Sequence, residues 1–63
     1  MTKNEMIDFI LDEARKVSKD KDIKKRERKL KIAQFNLKKS TETQVEGLYN
    51  RVKAEGAEKV FSN

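Results

Sequence analysis

The run Lys24-Lys25-Arg26-Glu27-Arg28-Lys29-Leu30-Lys31 concentrates the groups in this chain best placed to do chemistry, and that chemistry is the neutralisation of anions. Between Arg15 and Lys39 lie twelve of the sixteen Lys and Arg residues but only three acids, Asp20, Asp22 and Glu27, a formal charge of +9. The flanking segments sum to −3 over residues 1–14 and −1 over residues 40–63. A generic solubilising surface needs no such segregation, so the middle of the chain is expected to meet a polyanion, with nucleic acid the usual one. On a helix, Lys24 with Arg28 and Lys25 with Lys29 form like-charge i,i+4 pairs that cost about a few tenths of a kcal/mol each. Only the Asp22/Arg26 and Glu27/Lys31 pairs offset them. The expected anion-binding set is Lys21, Lys24, Lys25, Arg26, Arg28, Lys29, Lys31, Lys38 and Lys39.

With nucleic acid as partner, phosphate contacts supply affinity without sequence preference and with a steep salt dependence. Arg26 and Arg28 carry the forked donors that match a guanine edge in a major groove, and Gln34 and Asn36 carry amides that match adenine. Ordinary helix polarity is the plainer account of Gln34 and Asn36. Phe35 is the only aromatic in the basic segment, and a place in the core explains it better than base stacking. Ile32, Phe35 and Tyr49 are the candidate contacts for a protein partner, although packing on the first helix accounts more simply for Tyr49. The leading expectation is a non-catalytic regulatory module that engages nucleic acid or a nucleoprotein complex through a central basic helix. The alternative is a helical inhibitor or adaptor that docks on an acidic protein surface. A membrane-surface helix is disfavoured, because the basic half offers only Ile23 and Leu30 as an apolar face.

Catalytic chemistry has little to work with. The chain has no His and no Cys, which removes the usual general base near neutral pH, the commonest metal ligand and any thiolate site. Asp8 with Asp12 and Glu42 with Glu46 are i,i+4 carboxylate pairs, but acids near helix N-termini are already explained by the helix dipole. No phosphate-binding glycine loop, nucleophile elbow or calcium-loop spacing is present. No enzyme activity, cofactor or metal is expected. Neither a membrane span nor a signal peptide is read, so a cytoplasmic protein is expected.

Whatever this basic segment binds, helices must hold it in place. Sixty-three residues, 35% apolar and 43% charged, allow one domain with a thin core. Sharing apolar faces in a homodimer would enlarge that core, and size alone leaves monomer and homodimer equally open. With no Pro and glycines only at 47 and 56, long helices are permitted almost everywhere. Thr2-x-x-Glu5 is a capping box ahead of Met6, Ile7, Ile10, Leu11, Ala14 and Val17, which recur at helical spacing and predict a helix over about 3–18. Phe9 sits off that stripe. The polar stretch Ser18–Asp22 reads as a connector, with Asp20 or Asp22 capping a second helix over about 23–39.

That second helix has Ile23, Leu30, Ala33 and Leu37 on one side and Ile32 and Phe35 nearly opposite. The pattern suits a helix with neighbours on both sides or one in a dimer interface. Thr41-x-x-Gln44 starts a third helix over about 42–55, with Gly56 as its C-terminal cap. Two alternatives stand beside this layout: a single long helix from Ile23 to Glu55, and a strand over residues 29–38, where apolar and polar residues alternate. Val60 and Phe61, in the segment 57–63, either fold back on the bundle or fray. The expected fold class is all-α, a small three-helix bundle or a hairpin with a long second arm, dimeric or not.

Overall fold

In the computed structural model, which describes residues 1–61, the chain forms four helices and no strand: α1 (Lys3–Val17), α2 (Ile23–Lys39), α3 (Glu42–Glu55) and α4 (Ala57–Phe61). The strand alternative for residues 29–38 is thereby corrected. Alternation over so short a stretch also fits a helix with apolar residues on two sides.

Local hydrogen bonds set the helix starts. Thr2 Oγ1 accepts from the Glu5 N–H at 3.2 Å, and Glu5 Oε1 accepts from the Thr2 N–H at 3.0 Å. Both donors would otherwise lack an intrahelical partner. Between α1 and α2 the side chains relay along the connector. Ser18 Oγ accepts from the Asp20 N–H, Asp20 Oδ1 from the Asp22 N–H, and Asp22 Oδ1 from the N–H groups of Lys24 and Lys25. Asp22, not Asp20, is therefore the cap of α2.

Ser40 and Thr41 are both extended, with ψ of 159° and 158°, and this rules out one continuous arm. The Ser40 N–H and Oγ both donate to the Asn36 carbonyl, closing α2, while Thr41 and Gln44 form a second reciprocal capping box that opens α3. Removing such a cap costs about 1 kcal/mol. Thr41→Ala is accordingly expected to lower the thermal midpoint by several degrees, measured by circular dichroism.

Gly56 ends α3 with φ 89° and ψ 146°, a conformation that L side chains rarely adopt. The chain then turns into the short α4, where Ala57 is buried and Val60 half-buried. The segment after the last glycine thus folds back as far as Phe61; Ser62 and Asn63 lie outside the described residues. The two glycines make opposite predictions. At Gly56 a Cβ meets no atom within 4 Å, so Gly56→Ala is expected to cost about 1–2 kcal/mol purely as backbone strain. Gly47 is exposed inside α3 with equally open space, so Gly47→Ala is expected to stabilise by about 0.5–1 kcal/mol. Urea unfolding of the two variants checks the signs.

The core is built on α1. Met6, Ile7 and Ile10 pack with Val45 of α3, and Leu11, Leu37, Leu48 and Tyr49 close around them. Val52 and Ala57 are also buried. Phe9, off the main stripe, meets Tyr49 edge-to-face with ring centroids 5.0 Å apart, which brings α3 alongside α1. Lys3 Nζ donates to the Lys38 carbonyl at 2.9 Å, and Arg15 reaches Glu27 at the other end, so α2 runs antiparallel to α1. The helix with neighbours on more than one side is therefore α1. The alternative that the second helix has neighbours on both sides is corrected within this chain: α2 contributes no fully buried residue and packs by one side only. Among the described residues, no helix is long and apolar enough to cross a membrane.

Candidate nucleic-acid interface

Because α2 rests on α1 by a single side, its charges divide into two populations. Arg26, Glu27, Leu30, Ala33, Gln34 and Leu37 are half-buried on the side toward the bundle. Lys25, Arg28, Ile32, Phe35 and Lys39 follow one another at intervals of three and four residues, which aligns them as a ridge along the opposite side. Lys24, Lys31 and Lys38 run beside that ridge at intervals of seven. All eight of these outward side chains are exposed.

The inward charges are satisfied internally. Arg15 of α1 donates through Nε and Nη2 to the two oxygens of Glu27, both at 3.2 Å, and through Nη1 to Asp12 at 3.2 Å. This forked pair holds the Glu27 carboxyl below its ordinary 4.5, the Arg15 hydrogen bonds being the largest cause. Arg26 Nε is shielded from solvent without a hydrogen bond, and the Glu27 carboxylate at 3.6 Å supplies its charge compensation. Lys29 Nζ lies 3.4 Å from Asp20. Asp20 is also held low, first by the Asp22 N–H and then by Lys29.

A carboxyl whose folded value is depressed contributes stability that is complete above its unfolded value and fades as pH falls through the folded one. The Arg15–Glu27 clasp is therefore intact above pH 4.5 and weakens on acidification below it. Glu27→Gln is expected to flatten the acid limb of a stability–pH profile while leaving the anion-binding cations unchanged.

The outward cations have no such partners. Among the described residues, no carboxylate oxygen lies within 4.0 Å of Lys24, Lys25, Arg28, Lys31, Lys38 or Lys39. The same holds for Lys21 in the connector, which is exposed. The first turn of α2 has no acid inside it, so Lys24 and Lys25 face the positive end of their own helix dipole with only the Asp22 cap to offset it. The structure thus places Lys24, Lys25, Arg28, Lys31, Lys38 and Lys39 at exposed positions of α2, Lys31 also lining a crevice beside Arg15 and Glu27, leaves Lys21 in the connector, turns Arg26 toward the bundle and ties the exposed Lys29 to Asp20. Arg26 and Lys29 line a cleft of about 480 Å³ between α1, α2 and α4 on the other side of the helix.

Other expectations change with this placement. Arg26 and Arg28, read together as guanine-matching donors, point to different sides of α2. Gln34 lines a crevice beside Arg15 and Glu27, whereas Asn36 is exposed at the flank of the ridge. Phe35, expected in the core, is 58% exposed, as is Ile32. Tyr49 does not join them: it sits on α3 against Phe9, with Lys53 Nζ 5.2 Å from its ring centroid. Lys39 and Phe35 are each singled out by the sequence, but not their contact: Lys39 Nζ lies 4.3 Å from the Phe35 ring centroid. Its i,i+4 spacing from Phe35 was the available signal.

No protein-family model, curated protein or solved structure matches this chain. The functional reading therefore rests on the geometry of α2 alone.

Proposed function

We propose that the protein is a non-catalytic, cytoplasmic binding module whose α2 outer face engages nucleic acid or a nucleoprotein complex by neutralising phosphates. The observation that carries this reading is the row of exposed cations on that face with no carboxylate of the described residues within 4.0 Å. A merely solubilising surface would gain from interspersed acids, and here the acids of the same segment are spent on Arg15, Arg26, Lys29 and the α2 cap. A polyanion relieves both the mutual repulsion of the lysines and their conflict with the helix dipole.

Salt titration tests the proposal. Six phosphate contacts predict that log K against log salt falls with a slope of about −4 on a single strand and about −5 on a duplex. Anisotropy of a labelled oligonucleotide reads the slope, and binding that ignores salt overturns the proposal. The exposed Ile32 and Phe35 between cations favour a second reading, an acidic amphipathic segment of a protein partner. Failure to bind either form of nucleic acid would turn attention there.

A further inference from the structure

Building on that nucleic-acid reading, we infer that the α2 face takes single-stranded rather than duplex nucleic acid, with an unpaired base stacked on Phe35. Phe35 and Ile32 are each 58% exposed and lie about one turn apart in the middle of the ridge Arg28–Ile32–Phe35–Lys39. Neither contributes to the core. Cations border this apolar pair along one edge and at both ends: Lys24, Lys31 and Lys38 on the edge, Lys25 and Arg28 at the start of the ridge and Lys39 at its end. Lys39 Nζ sits 4.3 Å from the Phe35 ring centroid. The ammonium covers a face of the ring; when the flexible Lys39 side chain swings off it to a phosphate, the ring is left to take the base, so the two match the halves of a nucleotide.

A duplex fits this surface poorly. Its base faces are closed within the stack, and its major groove offers polar edges and thymine methyls to whatever enters. Of the forked or amide side chains that read such edges, the ridge presents only Arg28. Arg26 is turned into the bundle, Gln34 is half-buried, and Asn36 stands off at the flank. In a groove, two apolar side chains would find only thymine methyls among polar edges. A single strand offers a π-face at every base, and stacking on an aromatic tolerates any sequence. Cations at intervals of seven residues, about 10 Å per step along the helix, would follow the backbone of a strand laid along the ridge.

The chain contains no Trp, so Phe35→Trp introduces a single selective fluorophore at the proposed contact. Oligo(dT) is expected to quench its emission at saturation, while a duplex of equal length leaves it unchanged. Phe35→Ala is expected to weaken oligo(dT) binding on the order of tenfold, with duplex affinity, salt slope and thermal midpoint all retained. Lys25→Gln is expected to reduce the slope for both polymers by about one contact. Wild-type strand affinity in Phe35→Ala, or no quenching on saturation, overturns the single-strand inference while salt-dependent binding still stands. A change in solution mass of Phe35→Ala at unchanged strand affinity also overturns it, by assigning the residue to a self-contact. Salt-dependent binding to neither polymer overturns this inference and the broader proposal together.

Discussion

Ile10→Ala is expected to lower the stability of the domain by about 3 kcal/mol, the middle of the range for truncating a buried aliphatic side chain. Ile10 is 1% exposed and lies on the one helix that all the others pack against. For a chain of this length the whole stability is about 3–9 kcal/mol, so one truncation removes a large share of it. The thermal midpoint should fall by more than about 12 °C, since each kcal/mol moves a domain of this size by about 4–8 °C. Leu30→Ala offers the contrast. Leu30 is only half-buried on the α2 side, and its loss is expected to be smaller than that of Ile10. If the two variants unfold at the same denaturant concentration, α2 is as deeply built into the core as α1, and the single-sided packing described above is wrong.

Neutralising Lys24, Lys25, Arg28 and Lys31 together by Gln is expected to lower single-strand affinity several hundredfold at about 0.1 M salt, because four contacts at a slope of about 0.7 each are lost. Stability should move the other way. Lys24 and Lys25 oppose the α2 dipole, and Lys24 with Arg28 is a like-charge pair. Removing these charges is expected to leave the thermal midpoint unchanged or raise it by a few degrees. Loss of binding with a gain in stability separates a functional face from a structural one. A variant that unfolds would show that these cations hold the bundle together. Calorimetry and anisotropy on the same preparation read both quantities.

Several boundaries are legible in the residues themselves because their causes are local. The Thr2/Glu5 and Thr41/Gln44 boxes are each closed by two hydrogen bonds between residues three apart, and such bonds form wherever the chain is helical. Gly56 announced the end of α3 through its backbone freedom. Other features were not legible. The second helix showed apolar residues on two sides, and both arcs were compatible with burial. Leu30, Ala33 and Leu37 turned inward, Leu37 packing on the α1–α3 core, and the exposed Lys3–Lys38 and Arg15–Glu27 links accompany that rotation at either end of the pair. That rotation left Ile32 and Phe35 outside. Phe9, off the stripe of α1, gained its partner Tyr49 from a helix forty residues away.

By itself, the order of residues determined that this chain is helical, where its helices begin, and that its positive charge gathers in one of them, because capping, periodicity and composition act over a few residues at a time. Only the tertiary arrangement decided which cations remain unpaired. Whether Arg26 or Arg28 meets solvent depends on the rotation of one helix against another, and long-range contacts alone set that angle. The same rotation turned Phe35 outward, so the character of the candidate site was settled by packing.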